Sequence, residues 1–287
     1  MPLRRWPGLL RQMLTAAAHD RITTAAASLA FHGFLALLPV VIATVALLNL
    51  AGLSSGELHR LVHTIRVLLP QQMAGVVERD LVSPPARGVN VVEVVLGLVV
   101  ALWSSMEAMA SLQVALDLAY EASGDRGFLA RRAMALPLLG ITAVLGGAAS
   151  ALLVLGGPIR ELLPTGLHVV LSVVRYGGSL LLVTLLLSAY YRWGPAVERS
   201  TWEWVSPGGV AAAAGWVLTS LGFSFYLDHF GHETRTYGAL AGVAVTLLWL
   251  FLTAVVVLLG AEINRGLERV HELATSRGLG EADDART

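Results

Sequence analysis

The run YGALAGVAVTLLWLFLTAVVVLLG, from Tyr237 to Gly260, contains no charge and no proline. A helix rising about 1.5 Å per residue needs about 20 apolar residues to cross a hydrocarbon layer about 30 Å thick. In that layer every backbone polar group must be satisfied within the structure, which leaves a helix as the natural form for this run. The remainder of the chain agrees. Its 287 residues are 55% hydrophobic and 14% charged, with a mean hydropathy of +0.68, whereas soluble domains carry about 25% charged residues. A formal net charge of zero gives no bulk basic field for nucleic acid. The absence of cysteine excludes disulfides, thiolate metal sites and cysteine nucleophiles. All 20 basic residues are arginine.

The pattern predicts an all-α polytopic membrane protein with six transmembrane helices, at about 28–51, 92–118, 134–156, 167–191, 205–226 and 238–262. An even number of spans puts both termini on one side. Arg4, Arg5, Arg11 and Arg21 precede the first span, Arg126, Arg131 and Arg132 lie between the second and third, and Arg192 and Arg199 lie between the fourth and fifth. Arg265, Arg269, Arg277 and Arg286 follow the last, while the opposite short loops hold Arg160 and Arg235. Arginine retained on the cytoplasmic side therefore places both ends in the cytoplasm. Residues 1–27 read as a cytoplasmic amphipathic helix, 28–265 as the membrane domain, 52–91 as an extracytoplasmic loop and 266–287 as a cytoplasmic tail. Within the loop, Ser54 and Glu57 form a capping box before an apolar face of Leu58, Leu61, Val62, Ile65 and Leu69, which predicts a second amphipathic helix.

Small residues mark packing faces: Ser104, Ala108, Ser111 and Ala115 on helix 2, Gly146, Gly147 and Ser150 on helix 3, Ala211 and Gly215 on helix 5, and Gly238 and Gly242 on helix 6. Ionisable residues inside the spans carry the functional expectation, because a charge at the bilayer centre costs about 2.5–3.5 kcal/mol and persists where it is paired or wet. Glu107 lies beside the helix-2 stripe with no basic partner evident. Glu93 lies at a depth like that of Arg175, and the two are expected to pair. Asp117 is near enough to the cytoplasmic end to reach water. Pro39 removes a backbone bond from helix 1, and His32 lies within two turns of its cytoplasmic end. These residues either line a polar pathway or form structural clamps.

Familiar catalytic patterns are absent: the sequence has no HExxH, Walker A loop, nucleophile elbow or paired-glycine dinucleotide turn. Asp228, His229, His232 and Glu233 fall in one short loop and are not expected to hold a metal. No cofactor is predicted. Membrane lipids and an amphiphilic or small-molecule substrate are the expected partners, nucleic acid is not, and the oligomeric state is open.

Four stretches carry a family resemblance: AAASLAFHGFLALLPVV at 25–41, LWSSMEAMASLQVALDLAYE at 102–121, AYYRWGPAVERSTWEWVSPGGVAAAAGW at 189–216 and YGALAGVAVTLLWLFLTAVVVLLGAEIN at 237–264. The chain resembles the YihY / virulence factor BrkB family of bacterial inner-membrane proteins, formerly labelled ribonuclease BN-like. It departs from that family's usual residues at Phe31-His32, Asp117 and Pro195-Ala196. The resemblance implies six membrane helices with both ends cytoplasmic and no settled activity. It draws attention to Trp103, Tyr237, Glu262 and Asn264, the last two as polar residues at the inner end of helix 6 and Tyr237 at its outer end. A transporter or flippase-like function for a lipid, amphiphile or small solute is expected. The alternative is an envelope structural or interaction protein, and ribonuclease activity is not expected.

Overall fold

A computed structural model describes residues 20–50, 91–122, 124, 126–153, 164–197, 205–230 and 238–284, with side chains described over most but not all of these. Six long helices account for nearly all of it, and no strand occurs among the described residues. They are α1 (Asp20–Leu50), α2 (Val91–Ala119), α3 (from Phe128), α4 (His168–Trp193), α5 (Pro207–Phe230) and α6 (Gly238–Asp284). The expected amphipathic helix at 55–69, Tyr237 and the Glu93 side chain lie outside what is described.

Five of the six helices are long and apolar enough to span a membrane: Val94–Ala119, Phe128–Leu153, His168–Trp193, Pro207–Leu227 and Gly242–His271. Only 11–28% of each span is buried within the protein. Val95, Leu96, Val99, Val169, Val173, Leu218 and Leu221 point outward. Water would oppose so much exposed apolar surface, but lipid tails accept it. The sixth helix, α1, has 31 residues and packs chiefly along α2 and α6.

The helix ends follow from local chemistry. Alpha-5 begins at Ser206-Pro207: Pro207 sits where its missing N–H costs nothing, and the Ser206 hydroxyl accepts from Gly209 N at 3.0 Å. Alpha-2 ends in a Schellman motif, with Ala122 N bonded to Asp117 O at 2.9 Å and Glu121 N to Leu118 O at 3.2 Å. Glu121 occupies the left-handed position usually held by glycine, at φ 51°. Alpha-3 contains Pro137 and passes into a π-helical turn at Thr142–Gly146, before resuming α-helix to Leu153. The Thr142 hydroxyl donates to Leu138 O at 2.7 Å and accepts from Tyr190 at 2.7 Å, tying the altered turn to α4.

The core joins Ile22 and Ala26 of α1, Leu112, Ala115 and Leu116 of α2, Leu187 and Tyr191 of α4, Ala212 of α5 and Leu258 and Ala261 of α6. Small residues do form the packing faces, including the expected Ser111 and Ala115 of α2, Gly215 of α5 and Gly242 of α6, with further residues beside them. Alpha-5 buries Ala212 and Ala213 while Ala211 is exposed, and α2 buries Ala101, Ser105 and Leu112 beside Ala115. These helices are apolar nearly all round, so side chains on several faces satisfy the same lipid and only the bundle selects one. Alpha-5 and α6 approach closely at glycine, where a Cβ built on Gly208 would lie 2.0 Å from Gly260 O. Alpha-6 continues as helix through the expected tail to Asp284.

Candidate functional site

Beside the C-terminal half of α2 and the start of α3, a cleft with charged groups set in a mostly apolar wall opens between α1, α2 and α3. Its volume is about 260 Å³, and Ser28, His32, Glu107, Ser111, Arg131 and Arg132 are its polar lining. Helix periodicity assembles it: Ser28 and His32 are one turn apart on α1, Glu107 and Ser111 one turn apart on α2, and both arginines fall in the first turns of α3. The Ser28 and Ser111 hydroxyls lie 3.5 Å apart across the α1–α2 contact. His32 Nδ1 donates to the Ser28 carbonyl at 2.8 Å, which leaves Nε2 as the second polar atom of the ring.

Arg132 is the pivot. It forms an ion pair with Glu107, which corrects the expectation that Glu107 lacks a basic partner. The sequence distance hid this pair: the two residues stand 25 apart on different helices, and the arginine belongs to what reads as a loop charge. The Arg132 guanidinium lies 4.4 Å from the Trp103 ring and 4.5 Å from the Phe128 ring. Stacking by two aromatics fixes its orientation and strengthens with desolvation. Its Nε and Nη1 are buried without a hydrogen-bond partner. The two members of the pair differ in access, since the Glu107 side chain is 37% exposed and that of Arg132 is 12%.

Below the cleft, Asp117 acts as a clasp and does not simply point to water. It accepts from Arg131 Nη2 at 3.1 Å and from Ala196 N at 2.6 Å, holding the start of α3 to the turn after α4. Gln113 donates to Arg131 O at 3.1 Å. Arg126 donates to the carbonyls of Gly194 at 2.8 Å and Pro195 at 2.9 Å, where a cation satisfies the C-terminal end of α4. Arg126, Arg131, Arg132, Gln113 and Ser28 were not singled out from the sequence. Placing a helix start at Phe128 would have shown both α3 arginines to be rooted in a span.

The helix-6 residues separate. Asn264 is fully buried and accepts from Gly208 N at 2.7 Å, so it caps α5 from another helix and is no surface anchor. The Tyr120 hydroxyl faces its amide, and burial holds that hydroxyl well above the ordinary tyrosine range. Tyr191 donates to Val257 O at 2.7 Å in the same layer. Glu262 is partly buried near Glu121 and Arg269, which form an ion pair between α2's end and α6. In the first half of α4, Arg175 donates to the Leu153 carbonyl and lies 5.2 Å from the Tyr176 ring. Pro39 lies within α1, which continues through it. A second cavity of about 510 Å³ between α3 and α4 is mostly apolar, with Ser188 and Arg192 as its polar lining. Among the described residues no group of three histidine or carboxylate side chains gathers as a metal site.

The helices and the charged cleft define a multi-pass membrane protein with polar chemistry inside its bundle. The family model described as Virulence factor BrkB matches residues 13–286, and the chain belongs to that family. YfkH of Bacillus subtilis strain 168, whose name calls it ribonuclease-like, is 32% identical over 62% of this chain and 66% of its own length. A UPF0761 membrane protein of Tolumonas auensis is 36% identical over 43% of this chain and 36% of its own. Another, Mpe_A1422 of Methylibium petroleiphilum, is 26% identical over 91% of this chain and 63% of its own. The matches thus span between about a third and two thirds of these relatives' lengths. No solved structure matches.

Proposed function

We propose that the protein sits in a bacterial plasma membrane with both ends in the cytoplasm and moves an amphiphile or small solute through its helix bundle, without enzymatic chemistry. The observation that carries this reading is the cleft at Glu107 and Arg132. A polar opening within a span is costly to keep unless it serves a path or a site. The π turn of α3 supports the reading, because such turns recur where helices carry function.

The test is reconstitution into vesicles, with translocation of a labelled lipid and flux of small solutes measured in parallel. Glu107→Gln and Arg175→Leu should lower transport while membrane insertion and folding are retained. Wild-type vesicles that move neither class, or two variants that both run at the wild-type rate, would overturn the proposal. A second reading, an interaction protein of the envelope, draws on α6, which extends beyond its span at His271 to Asp284 as a helical arm. Under that reading, truncation after His271 would cost more than either substitution.

A further inference from the structure

We propose that the α1–α2–α3 cleft is an anion site that takes a phosphate-bearing headgroup, and that the ligand's oxygens displace Glu107 from Arg132. This deepens the transport reading above and rests on it for its place in a cycle.

Geometry makes Arg132 a fixed receptor. The Trp103 and Phe128 rings both lie against its guanidinium, at 4.4 and 4.5 Å, and restrict its planar fork. A fork of that kind matches two oxygens of a phosphate or carboxylate. Only its contact with Glu107 is satisfied, while Nε and Nη1 are buried without a hydrogen-bond partner. Glu107 is the more exposed member of the pair and the one that can swing aside. Its carboxylate occupies the place where an external oxyanion would bind.

Charge and size agree. Among the described residues Glu107 is the carboxylate that lines the cleft, against Arg131 and Arg132, with His32, Ser28 and Ser111 as further polar groups. Arg131 is held at the rim by Asp117, at 3.1 Å. Displacement of Glu107 therefore leaves a lining with excess positive charge. A cavity of about 260 Å³ lies below the roughly 300–1,000 Å³ that enclose a drug-sized ligand, so it admits a headgroup and not a whole lipid. The exposed side chains of Val114, Phe128 and Phe31 lie beside it, where acyl tails can remain in the bilayer.

The probe is native mass spectrometry of the full chain with equal amounts of phosphatidylglycerol and phosphatidylcholine carrying the same tails. Glycerol phosphate is titrated separately, with tryptophan fluorescence as the readout. Preference for the anionic lipid, gained about tenfold in Glu107→Gln and lost about tenfold in Arg132→Gln, is the expected result for a charge-assisted contact. The same signs with glycerol phosphate and not with lipid would keep the anion site and make its source soluble. Ser111→Leu fills the cleft without removing a charge and should also weaken binding, which covers the case of an Arg132 variant that fails to fold. Equal retention of both lipids with no response to glycerol phosphate, or binding indifferent to Glu107→Gln and Ser111→Leu, overturns the site. Anion binding with these signs in a protein that moves nothing would refute transport alone. Transport without anion preference would refute the site alone.

Discussion

Replacing Gly208 with alanine should push α5 and α6 apart. The added Cβ would lie 2.0 Å from Gly260 O and 2.7 Å from the Asn264 side chain, where real Cβ contacts essentially never fall below 3.0 Å. The obstacle is backbone, so α5 and α6 must part by about 1 Å, the gap between 2.0 and 3.0 Å. That separation stretches the Gly208 N–Asn264 bond of 2.7 Å beyond useful length. A buried donor stripped of its partner costs about 1–3 kcal/mol, and lost packing along the crossing adds about 1–3 more. The expected loss is therefore about 2–6 kcal/mol. Gly222, on the same helix, has nothing within 4 Å of its Cβ position. Gly222→Ala should be neutral or stabilising by up to about 1 kcal/mol. Trp216 and Trp249 lie 6.4 Å apart across the same helix pair and supply a local signal. Thermal unfolding in detergent, followed by near-ultraviolet circular dichroism, would compare the variants. Similar behaviour of Gly208→Ala and Gly222→Ala would refute the argument that backbone contact sets the α5–α6 crossing.

Asp117→Asn keeps an acceptor for Ala196 N but discards the Arg131 charge pair, so a thermal melt should show a loss of about 1 kcal/mol. Asp117→Ala should lose about 2–4 kcal/mol by removing the acceptor of Ala196 N together with the Arg131 ion pair. Arg126→Ala exposes the end of α4 and should raise hydrogen exchange around residues 190–196 before it affects the outer half of the bundle. The raised Tyr120 pKa has a definite sign: its contribution to stability is present below the ordinary value of 10 and is lost as pH rises through the higher folded value. In an alkaline ultraviolet titration Tyr120→Phe should therefore show one fewer late-titrating tyrosine than wild type, with the early-titrating number unchanged. The chain has no cysteine, so single cysteines at 124 and 160 report topology directly. Labelling by an impermeant reagent from the cytoplasmic side at 124 and from the outside at 160 is the expected pattern, and the reverse would invert the orientation.

The helices were legible residue by residue because a bilayer makes one demand that composition can express, an apolar run of about 20 residues with its hydrogen bonds internal. The spans beginning near 92, 167, 205 and 238 start within a few residues of helices in the structure. The third starts earlier, at Phe128, because Arg131 and Arg132 are taken into its first turns by Asp117 and Glu107. Glu107, Trp103, Asp117, Glu262 and Asn264 stand out in the sequence as polar or aromatic residues in apolar surroundings, but their companions do not. Glu107 meets Arg132, Asp117 meets Ala196 and Asn264 meets Gly208 only through contacts between helices. Lipid is indifferent to the rotation of a helix that is apolar on every side. Close backbone approach at glycine and the satisfaction of buried polar groups choose that rotation, and both belong to the assembled bundle.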